Sequence, residues 1–245
     1  MKLRVLSYNI RNCRGLNDKV SLKSVASVIS DIRPDIVGLQ EVDCFNPRSG
    51  LVDQSARLAK ILGMYHVYGP NVTWGCVARF GNAVLSRYPI IYHNNYPLPS
   101  RGEQRGLLRV GINLFGQPVV FFTTHLGLNH QERLQQVDKI LQIINEVTVP
   151  LLLVGDFNAK PGDEELGRLR TVLQAGDLSG AGLTFPADYP KYKIDYILFS
   201  DHWLLNETTV YANRASDHLP LVANVKLAMW LNDKIIQAVA CPFHP

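Results

Sequence analysis

The stretch Leu151-Leu152-Leu153-Val154-Gly155-Asp156-Phe157-Asn158 decides the reading of this chain. Four consecutive aliphatic residues, bounded by Pro150 and Gly155, have the length and composition of a strand buried on both faces. The run stops at a carboxylate and an amide two positions apart. An ionised carboxylate at the end of a core strand is expensive unless it is paired or faces a cation. Asp156 therefore marks a site, and the strand before it places that site at a sheet edge.

The same arrangement recurs along the chain. Ser7-Tyr8-Asn9, Leu39-Gln40-Glu41, Thr123-Thr124-His125-Leu126 and Ser216-Asp217-His218-Leu219-Pro220 each put polar or ionisable groups beside an apolar run. Ile194-Asp195-Tyr196 sets a carboxylate inside one. Six separate segments bearing this cost point to one convergent site. Acid, amide and imidazole together are what hydrolysis of a phosphate ester at a divalent metal requires. Glu41, a hard oxygen donor among amides with no cysteine pair nearby, suits Mg²⁺ or Mn²⁺. Asp156 and Asn158 share one face if the backbone between them stays extended.

Between these segments the pattern alternates. Strands are expected at 3–10, 36–42, 64–68, 82–86, 90–96, 107–114, 119–124, 151–154, 192–199, 204–211 and 219–227. Helical spacing covers 20–32, 54–62, 132–147 and 164–174, with Pro34 and Gly63 as stops. Gly116-Gln117 joins two strands as a hairpin. Two similar halves, each with helices outside its sheet, make an α/β fold: a four-layer αββα sandwich of two packed mixed or antiparallel sheets. Segments 45–52, 71–80, 99–105 and 176–191 read as loops. Residues 1–230 form one catalytic domain, and 231–245 a helical tail packed on it.

All six segments in this order, with Gly81-Asn82-Ala83-Val84-Leu85-Ser86-Arg87 in the centre, resemble the endonuclease/exonuclease/phosphatase superfamily over nearly the whole chain. The resemblance implies that Glu41, Asn9 and Asp217 serve the metal region. It pairs His218 with Asp195, gives Asp156 the attacking water, and gives Asn158 and His125 the phosphate. In deoxyribonuclease-like members a Glu partners the counterpart of His125. The matching region here, Arg79-Phe80-Gly81-Asn82, has no carboxylate, which favours phosphate binding for His125. Arg87, Arg101, Arg105 and Arg109 are candidate phosphate clamps, and Trp74 a candidate stacking residue. Whether His218 acts as acid, base or charge donor stays open.

The expected activity is Mg²⁺- or Mn²⁺-dependent hydrolysis of a phosphodiester or phosphomonoester of a small molecule or lipid headgroup. Thr124-His125-Leu126 resembles the sphingomyelinase and phosphatase-like branches more than the abasic-site enzymes. A DNA or RNA nuclease is the alternative, and a silent binding protein the alternative of another class. With 245 residues, 47% hydrophobic and 19% charged, the chain can bury a core without disulfides. Its net charge of +4 suits a phosphorylated partner without singling out nucleic acid. Cys13, Cys44, Cys76 and Cys241 form no Cys-x-x-Cys pair, which argues against zinc or dithiol chemistry. The charged N-terminus and the lack of a ~20-residue apolar run predict a cytoplasmic protein without membrane insertion, monomeric by default.

Overall fold

A computed structural model describes residues 1–176 and 182–228. The first sheet contains β1 (Lys2–Asn9), β2 (Ile36–Cys44), β3 (Tyr65–Trp74), β4 (Ala78–Ser86), β11 (Trp203–Val210) and β12 (Leu221–Leu227), in the order β11-β12-β1-β2-β4-β3. The second contains β5 (Ile90–Pro97), β6 (Gly106–Leu114), β7 (Gln117–His125), β8 (Leu151–Asp156), β9 (Gln174–Ala175) and β10 (Asp195–Phe199), in the order β5-β6-β7-β8-β10-β9. Each sheet is mixed: β1 pairs parallel with β2 and β7 parallel with β8, while the other pairings are antiparallel. Helices α1 (Leu22–Ile32) and α2 (Gln54–Leu62) cover the first sheet. Helices α3 (His130–Ile144) and α4 (Glu164–Leu169) cover the second. This is the four-layer sandwich expected.

Alternation along the strands sorts side chains between three cores. In β8, Leu151 and Leu153 pack with α3 and α4, while Leu152 and Val154 enter the core between the sheets. In β1, Leu6 and Tyr8 face α1 and α2, while Leu3 and Val5 face inward. Continuing the inward series carries β1 to Asn9, β7 from Phe121 to His125, β8 from Val154 to Asp156, and β10 from Ile197 to Asp195. Four site candidates thus inherit their direction from core leucines, valines and isoleucines. The sheets approach closely at Gly38, where a Cβ would lie 2.3 Å from Val154 Cγ2.

Helix boundaries follow local chemistry. Ser21, Asp53 and Asn129 cap α1, α2 and α3 by accepting from Ser24 N, Ala56 N and Glu132 N. Two expectations are corrected. Residues 71–80 are mostly not a loop: β3 and β4 extend through them as one long hairpin turning at 75–77. The helix expected over 164–174 ends at Leu169, because β-branched Thr171 and Val172 follow and Thr171 Oγ1 donates back to Arg168 O at 2.7 Å. The tail at 231–245 lies outside the described residues.

Candidate active site

The ends of β7, β8 and β10 set three residues in one row. His125 is in register with Asp156, and Asp156 with Asp195. The first sheet supplies Asn9 from across the sandwich. Its Nδ2 donates to Asp156 Oδ2 at 3.1 Å and to Glu41 Oε1 at 2.9 Å, tying the sheets together at the site. Glu41 arrives by a different route. The β2–β4 register shifts between Leu39 and Val42, and Glu41 takes a left-handed φ of 56°. Simple alternation does not aim it; the bulge does. Gln40 Nε2 braces the same junction by donating to Thr123 Oγ1 at 2.9 Å.

Asp156 is the hub. Its Oδ1 accepts Asn158 N at 3.0 Å, while His125 Nε2 and His218 Nε2 stand 3.5 Å and 3.6 Å from Oδ2. His218 Nδ1 donates to Asp195 Oδ2 at 2.9 Å, and Phe185 lies against the imidazole at 4.8 Å between centroids. Burial alone works against a charged His218, but Asp195 and then Asp156 raise it to about 10. Burial, with Asp195 adding repulsion, pushes the Asp156 carboxyl up to about 7. His125 behaves oppositely. Burial, then Arg105 and His218, hold it well below the ordinary imidazole range. Arg105 Nη1 lies 3.3 Å from His125 Nδ1 and has only hydrogens to offer, so Nδ1 accepts and the ring proton sits on Nε2. A guanidinium, not a carboxylate, thus partners Nδ1, and it is itself paired to Glu103 at 2.7 Å.

The remaining candidates separate. Asp217 forms an ion pair with Arg11, its Oδ2 3.4 Å from Nε, at the site margin. Asn158 is not on an extended backbone: with φ at 48° it turns away from β8, and its Nδ2 donates to Leu126 O at 3.0 Å. It reaches Asp156 through its backbone N–H instead. Trp74 is half-exposed at the hairpin end, against Phe80 and Arg48. Arg87 is in the wrong place for a clamp. It follows Ser86, which pairs with Ile36 at the start of β2, the end opposite Glu41, and its Nε donates to Pro34 O. Arg109 lies over Tyr92 and Phe122, away from the row, and Arg101 is exposed. Sequence reading missed Arg48, bound through two nitrogens to the fully buried Asp43 at 2.9 Å and 2.8 Å. Asp43, two residues past Glu41, was the available signal.

The donor chemistry fits a hard cation. Burial raises Glu41 above the usual carboxylate range, with Asp217 adding to it and the Asn9 hydrogen bond opposing. Two carboxyls raised in proton affinity by burial and by neighbouring negative charge, and linked by one amide, are a natural place for a divalent ion. Asp156, Asp195 and His218 also lie close, with ligand atoms within 4.8 Å of one another. There, however, His218 already neutralises Asp195, so the Glu41–Asp156 side suits a cation better.

Residues 6–218 match the sequence profile of the endonuclease/exonuclease/phosphatase family. The uncharacterized protein YbhP of Escherichia coli K12 is 28% identical over 91% of this chain and 96% of its own. A 5′-tyrosyl-DNA phosphodiesterase of Caenorhabditis elegans is 27% identical over 69% of this chain and 45% of its own. The crystal structure of an endonuclease/exonuclease/phosphatase from Beutenbergia cavernae superposes with a TM-score of 0.79, at 26% identity, over 93% of this chain and 72% of its own. Members of this family are hydrolases acting on phosphate esters, and they generally depend on divalent metal. The strand-end row, the sandwich that carries it and the profile match agree: the chain belongs to the endonuclease/exonuclease/phosphatase family.

Proposed function

We propose that this protein is a divalent-metal-dependent phosphoesterase acting on a phosphodiester or phosphomonoester of a small molecule or a lipid headgroup. The observation that carries the choice of substrate is the placement of the arginines. Of the four clamp candidates only Arg105 meets the catalytic row, and Arg87 lies at the opposite strand end. An enzyme tracking a polyanionic backbone needs a run of cations along its cleft. One buried guanidinium on the row, with Arg11 and Arg48 at the margin already paired to Asp217 and Asp43, suits a single phosphate better.

Each residue has a definable task in this reading. Glu41, with Asn9 and Asp217 in support, would hold Mg²⁺ or Mn²⁺, which when bound would supply positive charge beside the phosphoryl oxygens. Asp156, near neutrality in its proton affinity and fixed by Asn9 and Asn158 N–H, orients water and accepts its proton. His218, positive and held by Asp195, offers Nε2–H to the charge that develops on phosphate. Neutral His125 offers Nε2–H as a second donor, with its tautomer set by Arg105. Asn158 keeps one amide hydrogen for substrate while the other holds Leu126 O.

A nuclease reading has one observation in its favour, the similarity to a relative named for a tyrosyl-DNA linkage. Assays with Mg²⁺ or Mn²⁺ on p-nitrophenyl phosphate, bis-p-nitrophenyl phosphate, sphingomyelin and supercoiled plasmid decide between them. Chelator-sensitive turnover of a small ester or lipid with intact plasmid is the expected result. Plasmid nicking abolished by His218→Ala overturns the substrate choice.

A further inference from the structure

The two halves of the sandwich carry unequal charge. Residues 1–87 hold twelve Lys and Arg against six Asp and Glu, a net +6; the rest hold thirteen against fifteen, a net −2. Three of these cations, Lys23, Arg57 and Lys60, lie on the helices outside the first sheet. There α1 and α2 leave an open groove of about 690 Å³ lined by Val20, Leu22, Lys23, Arg57, Lys60 and Ile61, with Ser21 and Val52 completing it. No acidic side chain lines it. Ile61 is 56% exposed at its wall.

The loop joining β2 to α2 connects this groove to the site. Val52 belongs to the groove, and its carbonyl accepts from Phe45 N at 3.1 Å. Phe45 and Leu51 sit at the two ends of the loop, with φ of 52° and 57°. Both are large, apolar and exposed, Leu51 to 59%. Bulky residues rarely adopt this backbone, and the strain is kept while their side chains point to water. Between them Arg48 reaches back to Asp43, two residues from Glu41, and lies over Phe80 and Trp74. Basic side chains and exposed aliphatics thus run from the α1–α2 groove to the rim of the site.

We propose that this strip docks on an anionic phospholipid surface and presents the site to a headgroup. The proposal rests on the headgroup reading above and deepens it. Cations flanking aliphatic side chains match the charge and the acyl boundary of an anionic leaflet. The groove's own apolar lining, Val20, Leu22, Val52 and Ile61, offers a nucleic acid no ring to stack on, and the exposed rings of Phe45 and Trp74 stand only at the site end of the strip, which is why a lipid surface is favoured over DNA. The affinity is modest and reversible, since no helix among the described residues is long and apolar enough to cross a membrane.

Sedimentation with equimolar phosphatidylglycerol–phosphatidylcholine vesicles, against phosphatidylcholine alone, tests it directly. Partition is expected to favour the anionic vesicles and to weaken with salt. Each loss of a cation by Lys60→Gln or Arg57→Gln should reduce it about five-fold. Leu51→Asn tolerates the left-handed backbone and removes only the apolar anchor, so it should weaken partition without changing the melting temperature. All three variants should keep wild-type turnover of a soluble p-nitrophenyl ester. Equal partition to both vesicles overturns the proposal. So does binding to a DNA duplex that displaces vesicles and is lost in the same variants. Vesicle binding without hydrolysis of any ester would sink the enzymatic reading and leave the docking face standing.

Discussion

Two buried carboxylate clusters lie on the two sides of the second sheet, and they handle charge in opposite ways. On its outer side, Glu165 of α4 accepts from Arg133 Nε at 2.7 Å and from His130 Nδ1 at 2.9 Å. Burial raises its carboxyl, but its own backbone N–H, His130 and Arg133 together hold it below the ordinary range. On the inner side, Asp156 and Asp195 lie close enough to repel, share one imidazolium, and Asp156 rises to about 7. The outer cluster is electrically complete and clamps α3 to α4. The inner one is short of positive charge, and the shortfall is what makes it a site. A buried acid with a histidine beside it is therefore not enough to mark catalysis; the sign of its shift distinguishes the two.

The contrast breaks most sharply under substitution. Asp156→Asn should lower kcat by about 10³-fold, the scale on which a water-positioning carboxylate acts. The same change should raise the melting temperature of metal-free protein by relieving the repulsion from Asp195. Turnover within ten-fold of wild type would remove Asp156 from the chemistry. Glu165→Gln should do the reverse. It leaves kcat unchanged and costs about 3 kcal/mol, because Arg133 stays buried without its counter-charge. Denaturant titration reads that cost, and a loss below about 0.5 kcal/mol would show the outer pair to be incidental.

Proton linkage sharpens the comparison further. Glu165, depressed in the folded state, contributes stability above its unfolded value of 4.5 that is lost as pH falls through the lower folded one. His218, raised to about 10, contributes stability that is complete below 6.5 and lost as pH rises toward 10. Asp156, raised to about 7, adds stability below 3.8 that fades as pH rises to 7. The inner cluster therefore weakens metal-free protein toward alkaline pH, and the outer one toward acid. Mg²⁺ should raise the melting temperature more at about pH 8 than at about pH 5, since the raised carboxyls of Glu41 and Asp156 ionise more fully there. Equal shifts at both would mean that the ion binds elsewhere.

The layers, eleven of the strands and the identity of the row at the strand ends were legible in the sequence, because buried strands read as apolar runs and their costly termini stand out. What escaped was set by backbone rather than pattern. Asn158 and Glu41 both take left-handed φ, which no hydrophobic period announces. The length of the β3–β4 hairpin was hidden by Gly75 and the polar residues around it. Arg87 carried the right charge and closes the family-like central segment, yet strand direction placed it at the end opposite Glu41.

The alternation that delivers Asn9, His125, Asp156 and Asp195 to one spot has a consequence for how this protein can change. The site possesses a reading frame of two. Replacing Val154 by another aliphatic residue leaves Asp156 where it is, whereas removing one residue from β8 would hand its place to Gly155 or Phe157 and turn the carboxylate toward the helices. The apolar strand that looks most tolerant of substitution is thus the segment least tolerant of a shift in length, and variation in this chain should accumulate in letters there and in lengths only beyond the strand ends.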